Sequence, residues 1–317
     1  MRLSVVVPAH DAAGTIEAAL RSVLAQRLQP DEVIVVDDAS SDGTATVAAA
    51  VDPGVRLVRR GAGGQSDASG PSGPSGARNA GVEASSGEWV AFLDADDEWH
   101  PAKLERQWAL VDDDTVLIAS DWARTLVEDD PPPSVPTSEI TTCDLLLLNR
   151  FQTSTVLLSR QTFDAVGGFD PALDGVEDWD MWLRCSRRGR VKKLDWPLVC
   201  YADTPSGYSK VLDRVYRTGW TMLDRELAGA GRHRGDTVLA WHHLRFAAAY
   251  LLAGDKVSAR SCLVDCRRAG HLRGVPEATV RYLLPFLARR LERRVPFRRP
   301  SPPVPARTTA GRQQPGH

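Results

Sequence analysis

Apolar residues run almost unbroken through "LSVVV", stop at Pro8, and give way to a polar turn and "TIEAALRSVLAQ", whose apolar positions recur at helical spacing. "DEVIVVDDASSDGT" repeats the scheme: an apolar strand, an acidic end at Asp37 and Asp38, a Ser/Gly turn, and the helix "TATVAAAV". A third strand follows at "VRLVRR". Farther on, the pattern predicts a helix at "ARNAGVEAS", a strand at "WVAFLDADD", a helix beginning near Pro101, and strands at "TVLIAS" and "TSTVLLSR". The segment between those two strands, "EDDPPPSVP", reads as a proline-rich surface connection. Strands that are apolar on both faces and alternate with helices predict an α/β fold. The expected core is a Rossmann-like, mostly parallel sheet sandwiched by helices.

From about Val211 the texture changes. "VLDRVYRTGWTMLDREL", "TVLAWHHLRFAAAYLLAG", "KVSARSCLVDCRRAG" and "EATVRYLLPFLARRLERR" are helical in period, which predicts a helical C-terminal appendage. "AAAYLLAGDKVSAR" resembles one tetratricopeptide-like hairpin, and one unit does not make a repeat array. The expected organisation is a domain over 1–210, a helical region over 211–294, and a disordered basic tail over 295–317. Within the first domain, residues 61–76 are nearly all Gly, Ser, Pro and Ala and predict a flexible loop. They contain no GxxxxGK[ST], so a phosphate-cradling loop is not the reading.

Composition narrows the class. A chain of 317 residues with 43% hydrophobic content buries a core without staples, so its 5 cysteines, which show no CxxC spacing, read as reduced core thiols. No apolar run approaches the ~18 residues a membrane-spanning helix needs. The start, "MRLSVVVP", enters a strand without a leader-like stretch, and the product is expected in the cytoplasm. Charge is nearly balanced overall, yet from Arg281 onward there are nine Arg, one Glu and no Asp. Apolar residues interleave with Arg in "RYLLPFLARRLERRVPFRR". That segment suits either peripheral contact with the inner membrane face or a solvated helix end. Nucleic acid is not an expected partner, because the basic residues lack a recognised motif and stacking aromatics.

In an open α/β sheet, ligands bind beyond the carboxyl ends of the strands. Here those ends are polar: Pro8, Ala9, His10 and Asp11 after the first strand, Asp37 and Asp38 after the second, and Asp94, Asp96 and Asp97 after "WVAFL". Carboxylates gathered at one edge repel one another unless a cation lies among them. Mn²⁺ or Mg²⁺, held by one or two carboxylates and completed by substrate phosphates and water, meets that need.

The ordered segments "LSVVVPAHDAAGTIEAALRSVLAQ", "DEVIVVDDASSDGT", "GARNAGVEASSGEWVAFLDADDEW" and "GVEDWDMWLR" resemble the successive motifs of the family 2 inverting glycosyltransferases, which have the GT-A fold. The resemblance covers about residues 3 to 201. It implies a nucleotide-sugar donor, a UDP-sugar first, and a saccharide or lipid-linked acceptor in polysaccharide or glycoconjugate synthesis. It also implies roles for single positions. Pro8, Ala9 and His10 border the nucleotide, Asp38 reads the uracil edge or sugar, and Arg78 faces the nucleotide. Asp94 and Asp96 form the DxD, with Asp96 as metal ligand and Asp94 nearer the ribose and also beside the metal. Asp178 matches the catalytic base, and independently it stands in an acidic cluster that opens a Trp-rich helix after a Gly-Gly-Phe turn.

Two features depart from the family pattern: the Gly/Ser/Pro stretch, and "CYADTPSGYSK". There Ala202, Asp203 and Thr204 stand in place of a Tyr-Arg-x-His type sequence, with Tyr208 or Lys210 as candidate substitutes. Glu177 and Asp180 read as solvated helix-start acids, favoured by the helix dipole. Trp179 and Trp182 read as core before sugar-stacking, His242 and His243 as structural, and Asp37 and Asp97 as second-line or solvated. Two other classes remain in view. One is a non-catalytic carbohydrate or nucleotide binding scaffold. The other is a nucleotidyltransferase, which the absence of Lys and Arg from "PAHDAAGTI" disfavours.

Overall fold

The computed structural model describes residues 1–61, 73–125, 129–202, 212–228 and 232–284. Its first half repeats a strand-helix unit: β1 (Leu3–Ala9), α1 (Ile16–Leu24), β2 (Glu32–Asp38), α2 (Thr44–Val51), β3 (Val55–Arg60), α3 (Gly73–Ala84) and β4 (Trp89–Phe92). Then come β5 (Glu98–Trp99), α4 (Lys103–Trp108), β6 (Thr115–Ala123), β7 (Thr137–Glu139), α5 (Thr142–Leu147), β8 (Leu157–Ser159), α6 (Arg160–Val166), α7 (Glu177–Cys185) and β9 (Arg190–Cys200). The helices α8 (Leu212–Leu227), α9 (Arg232–Leu252), α10 (Lys256–Arg268) and α11 (Val275–Ala278) follow, and a π-helical turn at Thr279–Leu283 ends the described chain.

The strands form one sheet in the order β3-β2-β1-β4-β8-β6-β9-β5, with β7 added against β9. β1 to β4 are parallel neighbours, and β6 and β9 are parallel. β8 runs antiparallel between β4 and β6, a reversal that its three residues do not announce in the sequence. The mostly parallel α/β sheet is therefore present, with an antiparallel strand at its centre.

Both faces of the sheet are covered, which is why its first strands are continuously apolar. Val5 and Val7 pack with Ile16, Leu20 and Val23 of α1, while Val6 between them packs with Val82 of α3 on the other face. Gly81 makes that second contact possible: a Cβ there would lie 2.3 Å from Cγ1 of Val6. β1 runs one residue beyond Pro8, where the sequence suggested a stop. Residues 6 and 8 of a strand point the same way. The N–H of Leu93 reaches the carbonyl of Val6, so Pro8 also faces β4, whose ladder has already ended opposite Val6. The donor that proline lacks has no partner to miss.

The Gly/Ser/Pro stretch expected as loop over 61–76 overlaps α3, since residues 73 to 76 are helical. Pro74 in the first turn suits that helix start. Residues 62–72 of the stretch lie outside the described residues, as do Asp203, Thr204, Tyr208, Lys210 and the 295–317 tail. Of "TSTVLLSR", only Leu157–Ser159 is strand, preceded by a 3-10 turn at Thr153–Thr155.

The helical C-terminal region shares a core with the sheet domain: Met222 and Leu223 of α8 and Val238 of α9 join the cluster that holds Trp179 and Trp182. Both tryptophans are buried, in keeping with the core reading. Cys185, Cys262 and Cys266 are buried thiols, as expected, while Cys200 is half-buried and Cys143 exposed. α10 buries Ala259, Cys262 and Cys266 against its neighbours. It exposes Val257, Leu263 and Val264 among Lys256, Arg260, Arg267 and Arg268.

Candidate active site

Sheet register places the acidic strand ends at one rim. Ala9 pairs with Asp37 across β1 and β2, and Val6 pairs with Phe92 across β1 and β4. Asp94, two residues past Phe92, is therefore level with Pro8, and Asp38 and His10 stand two residues farther along the same edge. His10 Nδ1 lies 2.8 Å from the carbonyl of Asp38, which ties the loop after β1 to the end of β2. The Asp38 carboxylate is buried and lies 3.8 Å from Arg60 Nε. Pro8 is half-buried, Ala9 buried and His10 exposed, so the rim opens to solvent at His10.

Arg78, on the face of α3 that meets the sheet, is 5% exposed. Its Nη2 donates to Asp94 at 2.8 Å and its Nη1 to Glu177, the first residue of α7, at 2.9 Å. Burial works against its charge, but the two carboxylates outweigh burial and raise its pKa. The next residue, Asn79, aligns α7 by a second route: its side-chain amide pairs with both the N–H and the carbonyl of Phe169, at 2.9 and 2.8 Å. The Phe169 ring lies under the Arg78 guanidinium and edge-on to Trp182 of α7. One turn of α3 thus fixes both the DxD end of β4 and the start of α7.

Glu177 is consequently not a solvated helix-start acid. It is 7% exposed, and besides Arg78 its Oε2 accepts the N–H of Gly175 at 2.6 Å. Asp180 is also buried, paired with Arg184 one turn on. Asp178 sits between them, half-buried, and accepts from the N–H of Trp179 and from Nδ2 of Asn149. Burial, reinforced by the charge of Glu177, pushes its carboxyl up to about 7.

Behind the DxD, Asp97 is fully buried, where the sequence reading left it second-line or solvated. It accepts from the Ser154 hydroxyl and, at 2.8 Å, from the N–H of Ala202; Ser154 Oγ in turn accepts the N–H of Asp94 at 3.0 Å. Burial, with Asp94 adding repulsion, raises Asp97 to about 8. Burial and Asp94 likewise raise Asp96, which is half-buried and whose carboxylate meets only its own backbone N–H among the described residues. This donor set fits a divalent cation: hard oxygen ligands, mutual repulsion to relieve, and one carboxylate left uncommitted. No three His, Cys, Asp or Glu side chains among the described residues are grouped to hold a metal by themselves. A site completed by substrate phosphates and water does not need such a group.

Sequence reasoning placed Asp38, Asp94, Asp96 and Asp178 from strand ends and motif order. It missed Glu177, Asn149 and Ser154, whose partners lie 99, 29 and 57 residues away. No local pattern connects them.

A doubly wound sheet with this acidic rim is the architecture of GT-A glycosyltransferases. The chain belongs to glycosyl transferase family 2, whose model matches residues 4–216. The succinoglycan biosynthesis protein ExoO of Rhizobium meliloti (strain 1021) is 44% identical over 121 residues, 37% of this chain and 31% of that one. The chain spans about a third of the length of the first curated relatives it matches. Among solved structures, S. aureus TarS 1-349 in complex with UDP-GlcNAc superposes with a TM-score of 0.64 at 19% identity, covering 87% of this chain and 82% of that one. The mannosyltransferase PcManGT from Pyrobaculum calidifontis, in complex with GDP-Man and Mn²⁺, superposes at 0.58 with 20% identity, covering 92% and 80%. At these identities the two structures establish the shared fold.

Proposed function

We propose that this protein moves a sugar from a nucleoside diphosphate donor, a UDP-sugar by preference, to an acceptor hydroxyl with inversion, assisted by Mn²⁺ or Mg²⁺. The observation that carries the reading is the single buried guanidinium of Arg78 joining the DxD at Asp94 to Glu177, the neighbour of Asp178. Donor side and base side are built as one unit. Pro8, Ala9 and His10 border the base and ribose, Asp38 reads the uracil edge, Asp94 lies toward the ribose and the metal, and Asp96 ligates the metal. When bound, the cation supplies Lewis-acid charge to the departing diphosphate. Arg78, committed to Asp94 and Glu177, holds both in place and offsets negative charge that would otherwise oppose the diphosphate.

Asp178 takes the proton of the attacking hydroxyl. A base works best with its pKa near the operating pH, and burial sets Asp178 there. Below about 7 the carboxyl is protonated and idle, so transfer rises as pH increases through that value. Glu177 is occupied by Arg78 and Gly175, which leaves one carboxylate as base and none as nucleophile, the arrangement that suits inversion.

ExoO takes its name from succinoglycan biosynthesis, which supports a saccharide or lipid-linked acceptor in polysaccharide assembly. No helix among the described residues is long and apolar enough to cross a membrane. The proposed location is cytoplasmic, with peripheral contact at the inner membrane face through the basic C-terminal region. Residues 1–210 form the transferase domain in this scheme and 211–294 the helical region.

Calorimetry with UDP-sugars and GDP-mannose, with and without Mn²⁺, tests the donor and metal assignments. Manganese-dependent binding that Asp96→Asn weakens is expected, and no metal-assisted uptake of any nucleotide sugar overturns the reading. Asp178→Asn is expected to keep donor affinity and lose about 10²–10⁴-fold in transfer rate. Unchanged turnover removes Asp178 from the mechanism.

A further inference from the structure

Asp178 is not held by its own helix alone. Its Oδ1 accepts the N–H of Trp179 at 2.6 Å, and its Oδ2 accepts Nδ2 of Asn149 at 2.8 Å. The other amide atom of Asn149, Oδ1, is buried and has no hydrogen-bond partner among the described residues. A carboxylate only accepts, so the amide is turned with its donor to Asp178 and its acceptor left unmatched. An unmatched buried acceptor is unfavourable. Leaving it there shows which contact sets the orientation.

The turn that carries Asn149 follows α5 directly, and it is braced from outside. The last carbonyls of a helix have no intrahelical partner. In α5, three consecutive carbonyls accept from side chains of other helices. Leu145 accepts from Trp179 Nε1 at 2.5 Å, Leu146 from His242 Nε2 at 2.8 Å, and Leu147 from Trp241 Nε1 at 2.5 Å. Because a carbonyl cannot donate, His242 carries its proton on Nε2, and burial keeps the ring neutral. Two of these three donors belong to α9, outside the sheet.

We infer that Asn149 is a positioning residue for Asp178, and that α9, through Trp241 and His242, holds the turn from which Asn149 acts. The inference rests on Asp178 being the base of the proposed transfer. With one N–H on each oxygen, the carboxylate plane is fixed and the same lone pairs always face the acceptor hydroxyl. Titratable and charged groups approach Asp178 from three sides. Glu177 adjoins it on α7, Arg78 reaches toward it from α3, and His242 and Arg245 of α9 stand behind Trp179, 5.6 and 5.1 Å from that ring. Burial and Glu177 push the carboxyl up, while the Asn149 hydrogen bond and Arg78 pull it down. Removing the Asn149 donor therefore moves ionisation to higher pH.

Asn149→Leu and the near-isosteric Asn149→Asp, measured beside Asp178→Asn, test this with kcat profiles from pH 5 to 9.5. The acid limb of kcat is expected to rise in both Asn149 variants, and in the leucine variant by about one pH unit, on the order of one hydrogen bond to a charged group. That is about a 10-fold loss at pH 6, with most activity regained at pH 9 and donor KM unchanged. His242→Leu is expected to shift the limb in the same direction, and His242→Gln, which keeps a donor, to shift it less. If the leucine variant does not fold, the aspartate variant carries the test, with a larger upward shift because it adds a like charge. Acid limbs coincident with the native enzyme, while Asp178→Asn abolishes transfer, overturn the positioning role. Transfer retained by Asp178→Asn instead overturns the base assignment.

Discussion

Arg78, itself almost fully buried, pairs with two carboxylates that come from different parts of the site. Removing one member of a buried ionic group leaves its partners uncompensated, which typically costs about 3–5 kcal/mol. Arg78→Met is accordingly expected to lower the urea-unfolding free energy by that amount. Lysine does not substitute, because a point charge on a flexible stem cannot span Asp94 and Glu177 at once. A denaturation midpoint for Arg78→Lys equal to the native value contradicts this. At this scale the sequence discloses Asp94 and Asp96, since a strand end fixes where they must lie. It does not disclose Glu177, which looks like any acid at a helix start until the fold brings Arg78 against it. Asn149 is quieter still: an amide in a short polar turn carries no periodicity and no motif.

α3 is the element on which the site turns. It lies close enough to β1 to bring Arg78 to the DxD because Gly81 has no side chain to hold it off. Gly81→Val forces its added carbons into Val6, and overpacking of this kind costs about 1–3 kcal/mol. The expected result is a lower melting temperature together with weaker transfer, since Arg78 moves with the helix. Native activity in a destabilised Gly81→Val protein separates the two and refutes the coupling. The strands around α3 are legible in the sequence because burial on both faces makes them continuously apolar. The first turn of α3 is not, because it emerges from a Gly/Ser/Pro run without apolar period. β8 is misread as longer because the 3-10 turn before it, Thr153–Thr155, is equally buried and β-branched at two of its three positions, as a strand would be.

For the molecule as a whole, the helical region is both a brace and a surface. Inward, α8 and α9 complete the core around Trp179 and Trp182. Outward, α10 presents Val257, Leu263 and Val264 among four basic side chains. Each basic residue near an anionic leaflet contributes about 1 kcal/mol. The protein is expected to sediment with phosphatidylserine-containing vesicles and not with phosphatidylcholine alone. The double reversal Arg260→Glu/Arg267→Glu is expected to weaken that binding about 10-fold or more, and 0.5 M salt to suppress it. Equal sedimentation with neutral vesicles excludes an electrostatic contact. The sequence discloses the helices here and their basic character, but not the side-chain donors that tie α9 to α5, because tertiary capping leaves no trace in hydropathy.

The reach of that brace has a consequence for biogenesis. Asp94 and Asp178 emerge from the ribosome well before His242, and synthesis proceeds at roughly 5–20 residues per second. For several seconds a nascent chain holds every proposed chemical group and still lacks the helix that aims the last of them. On the proposed reading, full competence is expected late in translation, because the contacts that hold Asp178 in place are complete only once α9 has been made.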